Sequence, residues 1–207
     1  MHDIHNDFEI ENILEENRKR HEIINAPYNP VTGLGAVGER KKISIKDSPI
    51  GDMYLPVELI KENLFIRRLA KYGFKGYITR FIKEVEYSEE ALNQLWIEFI
   101  KYRIIYDFEY WTYSFIFIKD KVSPKDIPFK LNRAQRRVLN KLEKLRKAGK
   151  PIKFILLKAR QWGGSTLVQI YMLWIMLVHR RNWNTVICGD VETQSRNVRA
   201  MITKALN

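Results

Sequence analysis

The segment richest in chemistry is Lys158-Ala-Arg-Gln-Trp-Gly-Gly-Ser-Thr166. It holds two cations, two adjacent glycines and two hydroxyls within nine residues. A phosphate-binding loop has the pattern G-x-x-x-x-G-K-[ST] between a strand and a helix. Its glycines let backbone N–H groups converge on phosphate oxygens, and the helix N-terminus adds positive potential. Aligned on the hydroxyl, Gly163 takes the second glycine and Ser165 the hydroxyl that binds Mg²⁺. Lys158 stands where the first glycine should be, and Gly164 where the lysine should be. What a γ-phosphate needs, however, is a cation within reach, not one at a fixed position. Lys158 carries a four-carbon stem able to fold back over the loop, and Arg160 a planar fork suited to phosphate oxygens. The plain alternative is that both are surface cations on a strand-to-helix turn.

The elements expected to position this loop follow from periodicity. Asn132–Ala148 reads as a helix capped by Asn132 and ended by Gly149. Lys153–Leu157 is apolar after its lysine, as in a buried parallel strand. Leu167–His179 reads as an apolar helix, Thr185–Gly189 as a second strand, and Glu192–Leu206 as another helix. This order predicts an α/β fold, the start of a three-layer P-loop NTPase domain with a parallel sheet.

Upstream, Lys42–Lys46 reads as a short strand and Ser48–Pro56 as a proline-bounded turn. Val57–Tyr72 has a helical apolar face that Gly73 and Gly76 interrupt. Ser88 begins a helix running to about Ile104, with Glu89 and Glu90 in its first turn. Asp107–Ile118 is densely aromatic without interleaved cations, which favours core packing over base stacking. Lys121–Pro128 is the expected domain boundary. The organisation predicted is an acidic N-terminal segment (1–28), a mostly helical region (29–125) and the first part of a P-loop domain (126–207), which the resemblance below implies to be an ATPase motor domain. Gly33-Leu-Gly-Ala-Val-Gly38 matches a dinucleotide fingerprint, but the prolines before it and the charges after it favour an ordinary loop.

Composition narrows the function classes. The 207 residues include 36 Lys+Arg against 24 Asp+Glu, a net charge of +12 that favours a polyanionic partner. The charge is concentrated: Phe129–Lys158 has eleven basic residues and one acid, Glu143. Such a block is either a solvated helix face or a phosphate-contacting one. With only Cys188, a disulfide framework and a multi-cysteine zinc site are excluded. Three of the four histidines (His2, His5, His21) sit in the polar N-terminal stretch, with His179 far away, which argues against a histidine metal site. The acidic start lacks a secretory pattern, and Leu167–Val178 is too short to span a bilayer, so a soluble cytoplasmic protein is expected.

The loop Lys158-Ala-Arg-Gln-Trp-Gly-Gly-Ser-Thr resembles the deviant Walker A motif of large terminase subunits, the DNA-packaging motors of tailed phages. Pro128-Phe-Lys-Leu-Asn-Arg-Ala-Gln135 resembles that family's adenine-recognition motif, and Thr185-Val-Ile-Cys-Gly-Asp190 the next strand of its motor domain. The resemblance covers about Tyr110–Asn207, with Asn29-Pro-Val-Thr-Gly and Gly38-Glu-Arg less specifically similar. It implies that Lys158 is a displaced P-loop lysine, that Gly163, Gly164, Ser165 and Thr166 cradle the phosphates, and that Ser165 ligates Mg²⁺. Arg160 would be a cis-acting arginine stabilising transition-state charge, and Gln135 would bind adenine. The implied cofactors are ATP and Mg²⁺. The implied partners are double-stranded DNA, a portal protein, a small terminase subunit and further copies in a ring, with no membrane. The implied location is the host cytoplasm, transiently at the procapsid portal. No apolar strand ending in Asp-Glu follows the loop, and the family's nuclease acids are also missing. Ile104–Glu109 is faintly similar to that strand but precedes the loop and receives no role. The chain therefore reads as an N-terminal portion of a packaging ATPase, itself expected to hydrolyse ATP poorly. The alternatives are a fragment of another P-loop helicase or translocase, and a non-enzymatic basic DNA-binding module.

Overall fold

The computed structural model describes residues 29, 31, 38–48, 52–82, 88–119, 125–155, 157, 162–180, 182–186 and 192–206. A hairpin of β1 (Arg40–Ile43) and β2 (Met53–Pro56) pairs Arg40 with Pro56 and Ile43 with Met53. Helices α1 (Val57–Glu62) and α2 (Leu64–Phe81) follow directly. Asn63 separates them because its side chain accepts from the Ile66 amide, starting a new helix. Within α2, Gly73 adopts φ 73 and breaks the helix, whereas Gly76 stays inside it. Helix α3 (Glu89–Tyr106) starts at Ser88, whose hydroxyl accepts from the Ala91 amide as expected of an N-cap. Met53, Leu55, Leu59, Ile66, Leu69, Phe74 and Phe99 form one buried apolar cluster shared by these elements.

A second cluster begins at α4 (Phe108–Phe115). It takes Phe108 and Trp111 from α4, Leu139 and Leu142 from α5 (Arg133–Lys147), and Leu167, Ile170 and Trp174 from α6 (Gly164–Trp174). The aromatic stretch is thus partly core, with Phe108 and Trp111 buried, but Phe115 and Phe117 are each 46% exposed. A hairpin of β3 (Phe117–Lys119) and β4 (Asp126–Pro128) connects α4 to α5 across the polar stretch expected to be a boundary. Helix α6 ends in a wider π turn, Ile175–His179, and α7 spans Glu192–Leu206. Helix α3 serves both clusters, and Trp174 of α6 donates its indole N–H to the α3 carbonyl of Ile104, 3.0 Å. A second link is Asp107, which takes both Arg40 guanidinium nitrogens at 2.6 and 2.7 Å.

The expected α/β architecture is not what the chain forms. The described residues are mostly helical, with two antiparallel two-stranded hairpins and no parallel sheet. Lys153–Ile155 and Leu157, and likewise Thr185 and Val186, have no strand partner among the described residues; Leu156 and 187–189 lie outside them. The apolar run was read as buried, yet Ile155 and Leu157 are 99% and 101% exposed. Ile152 and Phe154 do line an apolar cleft of about 490 Å³ against Val138, Leu142 and Met172. The reason is physical: a parallel strand makes none of its hydrogen bonds alone, so an apolar run becomes one only beside a neighbour.

Candidate nucleotide-binding site

The described part of the loop is Trp162–Thr166, at the start of α6. Lys158 and Arg160, the two candidate cations, lie outside the described residues, as do Ala159 and Gln161. Gly163 precedes the helix at φ 80, ψ 21, a left-handed conformation that glycine adopts freely. A Cβ on Gly163 would lie 2.7 Å from the Gln135 side-chain amide nitrogen, and one on Gly164 would run into the Trp162 ring. Both glycines are therefore fixed by close approach, the first by conformation as well. Among the described residues no side chain caps α6, so its first-turn N–H groups keep their positive potential, worth about half a charge at the helix end. Gly164 is buried, Thr166 half-buried and Ser165 exposed at this end.

Gln135 sits at the third position of α5 and is 3% exposed. Asn132 and Gln135 form a reciprocal capping box: Asn132 Oδ1 accepts from the Gln135 amide at 2.9 Å, and Gln135 Oε1 accepts from the Asn132 amide at 2.8 Å. Each then reaches the loop. Asn132 Nδ2 donates to the Trp162 carbonyl and Gln135 Nε2 to the Gly163 carbonyl, both at 2.9 Å. The two stretches singled out in the sequence are thus joined by two hydrogen bonds across about thirty residues of chain. Asn132 was read from the sequence only as a helix cap; its spacing of three from a glutamine was the signal for the full box.

The start of α6 fits an anionic oxygen, because its N–H groups are uncapped and Ser165 lies open beside them. Adenine finds a different situation at Gln135, since both ends of its amide already have protein partners. Among the described residues no group of three His, Cys, Asp or Glu could hold a metal ion.

Charges buried around the site brace α5. Arg136 Nε donates to Glu109 Oε2 at 3.0 Å, with both side chains under a tenth exposed. Glu109, given no role in the sequence reading, is thus the counter-ion that holds α5 against α4. Glu143 accepts two bonds from Arg146 at 2.8 Å and one from the Tyr171 hydroxyl at 2.7 Å. Burial opposes the Glu143 charge, but Arg146 and Tyr171 outweigh it and hold the carboxyl below its ordinary range. At the joint between the clusters burial likewise opposes ionisation of Asp107, and the Arg40 and Arg103 guanidiniums prevail. Burial also drives His179 down to about 4, with Arg146 adding to the effect.

Among the described residues no helix is long and apolar enough to cross a membrane. Comparisons of the chain with protein-family models, with curated proteins and with solved structures found no match.

Proposed function

We propose that the chain binds ATP through the start of α6, as part of a DNA-packaging ATPase similar to tailed-phage large terminase subunits. The observation that carries this reading is the pair of hydrogen bonds from Asn132 and Gln135 to the Trp162 and Gly163 carbonyls. A stretch resembling an adenine motif and one resembling a phosphate loop are held together at an uncapped helix end. In this reading the amides of Gly164, Ser165 and Thr166 receive phosphate oxygens, and the Ser165 hydroxyl joins the Mg²⁺ that accompanies the nucleotide. Lys158 and Arg160 supply the positive charge that the loop's glycines cannot. Gln135 reads the base only by giving up the Gly163 carbonyl, so base and loop share one amide. The polymer moved would be double-stranded DNA, with portal, small subunit and further copies of the motor as partners.

Equilibrium titration of the chain with fluorescent ATP in the presence of Mg²⁺ tests this. Saturable binding that Lys158→Ala and Ser165→Ala each weaken at least tenfold is the expected result. Binding that neither substitution changes, or none at millimolar nucleotide, would overturn it.

A further inference from the structure

The other side of α5 presents a feature that nucleotide binding does not use. Arg133, Arg137, Lys141 and Lys144 are all exposed. Their spacing of four, four and three puts them within an arc of about 80° on the helix surface, along about 16 Å of its axis. None has a carboxylate partner among the described residues, unlike Arg136, Arg146 and Lys147 on the same helix. Lys130 before the helix, and Lys150 and Lys153 after it, are exposed as well. The opposite face (Gln135, Val138, Leu139, Leu142) is buried, so this stripe belongs to a firmly seated helix rather than a frayed one.

We infer that this stripe is a contact surface for the phosphate backbone of duplex nucleic acid, read without regard to sequence. Four unpaired cations at intervals of about 5–6 Å along a rigid axis match a row of phosphates, and their counter-ion release drives binding. The side chains between them decide against other polyanions. No aromatic residue stands in the stripe, so unpaired bases have nothing to stack on and a single strand is disfavoured. Along Arg133–Ala148 the exposed apolar residues are Ala134 and Ala148, which offer little to insert into a lipid surface. The inference agrees with the packaging reading but uses none of the residues given a nucleotide role there, although Arg133 lies in the stretch that resembles the adenine motif.

The test is binding of the whole chain to a duplex DNA of arbitrary sequence of about 30 base pairs, followed over a salt series. The expected slope of log affinity against log salt is about −3 to −4, for four phosphates contacted. Replacing Arg133, Arg137, Lys141 and Lys144 together by Gln should cost at least tenfold at about 50 mM salt and flatten the slope by about one per charge removed. Replacing Arg133 and Arg137 by Lys should retain both, and unchanged thermal melting would establish that the Gln variant is folded. An unaltered slope in that variant, stronger binding to single strands of the same length, or preference for anionic phosphatidylserine vesicles would each overturn the inference. Ser165→Ala, which should disable ATP binding, should leave duplex affinity unchanged, so the two readings fail separately.

Discussion

Helix α2 has five basic residues and no acid, and α5 has seven and one, yet the two helices dispose of that charge in different ways. On α2 three of the five cations settle on rings of the same helix, and Lys75 meets Asp47. The Arg68 guanidinium stands 4.2 Å over Phe81, and Arg80 and Lys71 lie 4.7 and 5.2 Å from the Tyr72 ring. On α5 they divide: Arg136 and Arg146 meet Glu109 and Glu143, Lys147 meets Glu58, and Arg133, Arg137, Lys141 and Lys144 meet no carboxylate among the described residues. A count of acids misses the first arrangement, because an aromatic face is a counter-charge too. The lesson is that a basic helix becomes an interface only where its cations have no home of their own.

The contrast is sharpest inside α5. Arg136→Ala should cost about 3–5 kcal/mol, because it leaves the buried Glu109 carboxylate unpaired. Arg137→Ala, one residue on, should change stability by no more than about 0.5 kcal/mol. Urea unfolding of the two variants checks this, and equal losses would erase the distinction between the faces. Next in size is Gly163→Ala, which meets a left-handed backbone and the Gln135 amide together. A loss of about 1–3 kcal/mol is expected by thermal melting, with weaker ATP binding, while Gly149→Ala, also at positive φ (64) but with open space around its Cβ, should cost only the backbone strain.

Smaller effects belong to α2. Arg68→Ala should cost about 0.5–1 kcal/mol through the lost ring contact, and Phe81→Leu should remove most of that difference in a double-mutant cycle. The smallest effect expected is a pH slope. His179, beside Arg146, is held near 4 in the fold against an ordinary 6.5, so it stays neutral where the unfolded chain gains a proton. Its contribution is full above about 6.5 and is lost as pH falls from there toward about 4. Chemical denaturation across that range should show stability falling with acid, less steeply in His179→Phe. An identical slope in both proteins would remove His179 from the account.

Local signals in the sequence were legible. Ser88 and Asn132 cap the helices they were expected to cap, because an N-cap is decided by three or four neighbouring residues. The helix after the loop was expected from Leu167, and it starts three residues earlier, at Gly164. What failed was non-local. Whether Lys153–Leu157 is a strand depends on which backbone lies beside it, and its own residues do not contain that information. The β3–β4 hairpin was read as a connection, since a three-residue strand rich in polar residues and ending in Pro128 carries almost no periodic signal. The hydrogen bond from Gln135 to the Gly163 carbonyl, 28 residues away, likewise has no local signal.

The break in α2 has a kinetic consequence. At Gly73 the chain leaves helical geometry, and the next amide, Phe74, bonds not to its own helix but to the Lys46 carbonyl beyond β1, at 3.1 Å. A Cβ at Gly73 would lie 2.8 Å from the Lys46 side chain, so the hairpin's loop fills the break. The Phe74 amide proton is consequently shielded by a segment distant in sequence. Its exchange with deuterated solvent should follow the undocking of the hairpin, while the amide of Ile82, bonded to Ile78 within the last turn, should follow fraying of the helix end.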